Sequence, residues 1–483
     1  MIKARGKFLS NPKLIEFLLR VRKNSFLYLR ISAALGVFLM ALLRCQIAFR
    51  TGQYGVTTDL DFIESRKILG GLDAGSYMQG GLSFASGTYS DATNDFIWEL
   101  WPPGMSIVNF FFIKTFGLDQ SPLILWSVTS SLLLGFVTYL LIGSLGNLPR
   151  YLSVIGSGLI CLFLLSSPTQ GWLLDQGIMY AEGFTLLGLI GSLYCFRAYL
   201  EKKRPSQLFL SGLFLTLAIF MRSVNLAIVY LLATILFFAF LINALRMLKI
   251  NAFSKTRFHL LGLCTILVVT LSSMIIWMAF RWTWFQRNKF EWVSSATNAW
   301  KGYWFRNEDY TGTGWEIVAG VDNWACQIDK LQCLEIHKNP DINWNYQSLA
   351  VRSIIENPLS FASERFSNMW EYWILNGRWL YPPQSKIPAS ISLLEGCIFL
   401  LVLVFAVIYS AKIWSKRPEL VALQIAVLLG NFLPLMVYHL EGRYFLHIKL
   451  VGVMILLQNL QMAHKFGISL KPWRLRAMAK PKT

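Results

Sequence analysis

The stretch VNLAIVYLLATILFFAFLINAL, residues 224–245, holds no charged side chain. As a helix rising about 1.5 Å per residue it reaches about 33 Å, enough to cross a hydrocarbon core of about 30 Å. Similar runs recur from one end of the chain to the other. Hydrophobic residues make up 55% of the 483 positions and the mean hydropathy is +0.47. A soluble domain of this size has no interior large enough to bury so much apolar surface. The expected class is an all-α polytopic membrane protein.

Ten runs read as spans: 26–49, 121–143, 151–167, 178–200, 207–222, 224–245, 260–281, 389–411, 419–439 and 445–463. The formal charge of +19 does not point to nucleic acid, because the cations are spread through short segments between these runs. They are MIKARGK and RVRK before the first run, EKKRP at 201–205, RMLKINAFSKTR at 246–257, AKIWSKRP at 411–418, and the tail KPWRLRAMAKPK. By the positive-inside rule all of these face the cytoplasm. The apolar segment GMSIVNFFFIKTFG (104–117) would upset that assignment if it crossed. At about 21 Å it is too short, and reads as a juxtamembrane helix at the outer surface. The run 26–49 is too long for the apolar part of a cleavable signal and lacks a small-residue cleavage site.

The expected organisation follows. Residues 1–49 form a basic cytoplasmic N-terminus and first span, and 50–120 an outer loop with an acid pair and the juxtamembrane helix. Residues 121–281 form a transmembrane bundle and 282–388 an outer, Trp-rich cap loop of mixed structure. Residues 389–463 carry the C-terminal spans, and 464–483 a basic cytoplasmic tail. Five of the seven cysteines lie in or beside spans and serve as small apolar residues. Cys326 and Cys333, in CQIDKLQC, fall in the outer loop and are candidates for a disulfide, the alternative being two independent thiols. No His or Cys pair stands near them, so no metal ligand set is assigned.

The outer face collects the groups with chemistry. TTDLDFIESRK (57–67) places Asp59 and Asp61 just beyond the first span; WPPG (101–104) makes a stiff turn; EGRY (441–444) opens the last span. A carboxylate, cations and a rigid turn in one water-accessible pocket would suit transfer from a lipid-phosphate donor. The plain alternatives are a solvated loop for Asp59 and Asp61, and interfacial anchoring for Trp101, Arg443 and Tyr444. Glu182 starts a span, where it is either a functional ionisable group or an acid favoured by the helix dipole.

In order, these segments resemble the GT-C glycosyltransferases of the protein O-mannosyltransferase and aminoarabinose-transferase type. Asp59 stands three residues before an aromatic, Phe62, and Trp101-Pro102-Pro103-Gly104 matches a PPG turn entering an apolar helix. YAEGFTLLGLI, with Glu182, is similar to a TEP-like span start. SGLFLTLAIFMRSVNLAIVYLL is similar to a segment ending in Thr-Arg-Pro-Thr, and EGRYFLHIKL to a late Glu-Arg-Tyr segment. Ser106 and Ser223 stand where the family has proline, and the prolines of the late segment are missing. The likeness covers about residues 50–245 and 430–455.

The resemblance implies a GT-C-like bundle and an inverting transferase that takes a sugar from a polyprenyl phosphate, at the outer face of a bacterial plasma membrane. Asp59 is then the catalytic base. Arg222 and Arg443 are phosphate ligands, with Arg443 preferred because it stands at a span end beside Tyr444. Asp61 orients the acceptor, binds a divalent cation, or is a surface acid. Trp101, Glu182, Glu441 and Tyr444 complete the substrate-binding set. The implied partners are the polyprenyl-phosphate-linked sugar, membrane lipid and an acceptor of unassigned class. Three rivals stand beside it: an O-antigen polymerase or ligase, a transporter or flippase of lipid-linked sugar, and a non-catalytic membrane scaffold.

Overall fold

The computed structural model describes residues 12–50, 72–87, 102–117, 124–146, 148–166, 181–247, 260–284, 351, 354–374, 389–437 and 442–468. Among these residues there are helices and turns and no strand. The helices are α1 (Pro12–Arg50), α2 (Leu72–Ser86), α3 (Gly104–Phe116), α4 (Ser130–Gly143, entered through a π-helical turn at Leu125–Thr129) and α5 (Arg150–Ser166). Then follow α6 (Glu182–Lys202), α7 (Pro205–Met221), α8 (Leu226–Met247), α9 (Leu260–Trp284), α10 (Pro358–Ile374), α11 (Ala389–Ile413), α12 (Pro418–Val437) and α13 (Gly442–Lys465).

Seven helical segments are long and apolar enough to cross a bilayer: Asn24–Ile47, Glu182–Lys202, Ser223–Asn243, Leu260–Thr283, Leu393–Ile413, Pro418–Met436 and Phe445–Lys465. The chain is therefore an all-α, multi-pass membrane protein. The expected runs 121–143, 151–167 and 207–222 are also helical but shorter, as α4, α5 and α7. The 104–117 segment forms α3, whose 13 residues extend about 20 Å. The cysteines at 45, 161, 195, 264 and 397 lie in helices. Cys326 and Cys333 lie outside the described residues, as does nearly all of the 282–388 loop before α10.

Exposed apolar side chains such as Leu35 and Leu39 on α1, Phe237 and Phe240 on α8 and Ile276 on α9 face outward, as lipid contact requires. Small residues bring the helices together. A methyl placed on Gly188 of α6 would stand 2.6 Å from the Phe214 carbonyl oxygen and 2.7 Å from the Ala218 nitrogen, so only glycine allows α7 this close. The same pair is tied by Ser211, whose hydroxyl donates to the Ser192 carbonyl at 2.8 Å. Further along, Gln424 of α12 donates to Gln458 and Asn459 of α13, both at 3.0 Å. Gln458 passes the contact on to the Leu193 carbonyl of α6, and Asn459 to the Ser410 hydroxyl of α11. Four helices are thus joined by hydrogen bonds that hydrocarbon cannot supply.

These contacts set the ends of the bundle. The α6–α7 turn carries Lys202, Lys203 and Arg204, and the α11–α12 turn carries Lys416 and Arg417. Arg417 lies 5.9 Å over the ring of Phe466, just beyond α13. Gly430, in the second half of α12, packs against Ile228 at the start of α8, so the α11–α12 turn lies at the end of the bundle away from Arg222 and Glu182, as does the α6–α7 turn.

Candidate functional site

α6 starts at Glu182, and its antiparallel neighbour α7 ends at Met221, so residue 222 arrives beside residue 182. Arg222 leaves the helix in an extended conformation, φ −144° and ψ 117°, before the short 3-10 turn Ser223–Asn225 leads into α8. There Arg222 Nη2 donates to Glu182 Oε1 in an ion pair. Glu182 is 1% exposed and Arg222 7%. Each charge sits at the helix end whose dipole favours it, the acid in a first turn and the guanidinium just past a last one.

The helix break that aims Arg222 is built without the proline expected at 223. The Arg222 N–H donates to the Ala218 carbonyl at 3.1 Å, and the Asn225 side-chain amide donates to the same oxygen at 2.8 Å. Asn225 therefore closes the last turn of α7 from the far side of the break. Its Oδ1, and the hydroxyl of Thr185 one turn along α6, are buried with no hydrogen-bond partner among the described residues.

The WPPG turn reaches this place through its glycine. Pro103 occupies the N-cap of α3, and a methyl on Gly104 would stand 2.5 Å from the Phe220 carbonyl oxygen and 2.8 Å from Met221 Sδ. Met105, Tyr77, Met78, Ala181 and Met221 pack into one apolar cluster that locks α2, α3, α6 and α7 together. On the far side Phe84 of α2 stacks edge-on with Phe110 of α3 and with Trp277 of α9. Ser106 and Asn109, buried on α3, each carry an oxygen with no partner among the described residues.

The described parts of three segments that are far apart in sequence, residues 102–104 of WPPG, 181–183 of YAEG and all of MRSVN, thus meet at one end of the bundle. Of the expected site residues, Glu182 and Arg222 are brought into contact. Asp59, Asp61, Trp101 and Glu441 lie outside the described residues, and Arg443 and Tyr444 occupy the first turn of α13 with side chains outside them. No group of three metal-binding side chains gathers among the described residues. Thr185 and Asn225 were not singled out by sequence. The available signal was their register, Thr185 on the face of α6 that carries Glu182 and Asn225 just past a lone arginine that interrupts an apolar run.

A second buried charge pair stands beside α10 and was equally silent in the sequence. Lys449 of α13 is fully buried, 3.4 Å from Glu395 of α11, and its Nζ donates to the Trp373 carbonyl at 3.1 Å. Arg365 of α10, also fully buried, donates through Nε to the Met436 carbonyl at 3.0 Å. Each cation meets a carbonyl in the last turn of a helix, where orphan acceptors and the dipole both favour it.

The chain matches no protein-family model, no curated protein sequence and no solved structure.

Proposed function

We propose that the chain is an integral-membrane inverting glycosyltransferase that moves a sugar from a polyprenyl phosphate to an acceptor. The reaction takes place at the bundle end opposite the basic turns, the outer face of a bacterial plasma membrane. The observation that carries this reading is the convergence of WPPG, YAEG and MRSVN around the Glu182–Arg222 pair. The three segments are the ones whose order resembles the GT-C glycosyltransferases. Counting α4, α5 and α7 with the longer helices, the bundle has ten spans and both termini on the basic side.

In this reading Glu182 braces one edge of the Arg222 guanidinium. The planar fork of arginine can hold a carboxylate and a phosphate at once, which lysine cannot do. Arg222, joined by Arg443 from the first turn of α13, stabilises the charge that grows on the departing polyprenyl phosphate. Thr185 and Asn225 offer a hydroxyl and an amide oxygen, neutral partners suited to a hydroxyl-rich group. Asp59 takes the proton of the acceptor hydroxyl as its oxygen attacks the anomeric carbon, and the bond to phosphate breaks with inversion.

The test is direct. Purified protein in detergent or nanodiscs, given a polyprenyl-phosphate-linked sugar and a membrane extract as acceptor source, should release free polyprenyl phosphate and fix the sugar to an acceptor. A polymerase or ligase would require a diphosphate-linked oligosaccharide instead, and a flippase would leave the donor chemically intact.

A further inference from the structure

We propose that α10 is an interfacial helix whose stripe of Leu359, Phe366 and Trp370 rests on the acyl chains of the leaflet at the Glu182 end. This assignment holds whichever reaction the site performs. It joins an apolar stripe to an independent measure of depth.

The depth comes from the contacts of the helix's C-terminal end. Trp373 Nε1 donates to the Gly396 carbonyl at 2.9 Å, and Gly396 lies three residues inside the apolar span that begins at Leu393. Lys449, which donates to the Trp373 carbonyl, lies four residues inside the span that begins at Phe445. The end of α10 is therefore sunk about 5–6 Å below the outer limits of two apolar spans. Its N-terminal half meets the bundle higher up, where Arg365 reaches Met436 at the very end of the α12 span. The helix slants beside the bundle instead of resting on top of it.

The faces of α10 agree with that position. Arg365, Met369 and Trp373, spaced i, i+4, i+8, form the side buried against α11, α12 and α13. Leu359, Phe366 and Trp370, spaced i, i+7, i+11, form an adjoining stripe that is 84%, 58% and 48% exposed. Ser360 and Ser367 are exposed on a third face. One arc against protein, one apolar arc beside it and one polar arc toward water is the pattern of a helix lying in the headgroup zone. On α11 Leu394, Ile398 and Leu401 are likewise exposed, as lipid-facing residues. A tryptophan in the stripe fits the level at which aromatic belts form.

The experiment uses the full chain reconstituted in bilayers with ordinary or brominated acyl chains. Single cysteines at 360, 366, 367, 370 and 401, in a background with the native cysteines replaced, carry a small fluorescent label. Brominated chains should quench the labels at 366 and 370, as they must at the lipid-facing control 401, and spare those at 360 and 367, which aqueous iodide should quench. Labels at 366 and 370 that respond to neither quencher would mean that the chain itself or a second copy covers the stripe. Labels there that respond only to iodide would place it in water. Either result overturns the assignment.

Discussion

Glu182 and Arg222, forty positions apart, form a buried ion pair because one opens α6 and the other closes α7. The pair depends on both halves. Glu182→Gln leaves a guanidinium that is 7% exposed without its carboxylate, and the cost expected for such a loss is about 3–5 kcal/mol. Thermal unfolding in detergent should show a marked drop for Glu182→Gln and for Arg222→Met. The double variant Glu182→Gln/Arg222→Met should recover much of the loss, since no uncompensated charge remains. Additive loss in the double variant would mean that the two side chains do not depend on each other.

The α6–α7 contact yields a paired prediction about glycine. Gly188→Ala forces a methyl against the backbone of α7, and overpacking of this kind costs about 1–3 kcal/mol. Gly158→Ala, on α5, meets nothing within 4 Å and should be neutral or slightly stabilising, because alanine favours the helix by about 1 kcal/mol over glycine. Unfolding midpoints of the two variants should separate in that order.

Much of the fold was legible because the apolar runs are long and their charge breaks are short. Among the described residues each of the ten expected runs carries a helix, most with limits within a few residues of those expected, while the first lies inside a helix that already starts at Pro12. The site was legible in pieces only. Glu182 read as an acid that a helix start favours and Arg222 as a phosphate ligand, and nothing in either segment announces the other. Their contact is set by the tight hairpin around Gly188, a packing fact between two helices. Lys449 and Arg365 were hidden for a related reason. Lys449, near a span end, resembles an interfacial anchor, and Arg365 reads as a loop cation; their burial against the carbonyls of Trp373 and Met436 appears only in the fold. The helix α10 escaped notice because its amphipathic pattern sits within a Trp-rich loop.

Lys449→Met should therefore behave as a core lesion. It leaves Glu395 without the lysine and removes a donor from the Trp373 carbonyl at the end of α10. The expected loss is about 3–5 kcal/mol, read as a lowered unfolding midpoint, with faster proteolysis between α10 and α11. A wild-type midpoint would show that the buried pair contributes no net stability.

Orientation is tested by impermeant thiol labelling of single cysteines in intact cells. Ser86→Cys, at the exposed end of α2, should react from outside, and Ser415→Cys, in the basic α11–α12 turn, only after permeabilisation. The reverse pattern would invert the bundle and place the Glu182–Arg222 site at the cytoplasmic face.

The central claim rests on a carboxylate that takes a proton, and one comparison reaches it most directly. Wild-type protein and Asp59→Asn, matched for folding by unfolding midpoint, are given a polyprenyl-phosphate-linked sugar, and the rate of polyprenyl phosphate release is measured. Asparagine keeps the shape and can still hydrogen-bond but cannot accept the proton, so turnover should fall by about 10²–10⁴-fold while binding of the donor persists. Asp61→Asn should cost less. Release by Asp59→Asn, Asp61→Asn and the double variant at the wild-type rate, or no release by the wild-type protein from any such donor, would contradict the account.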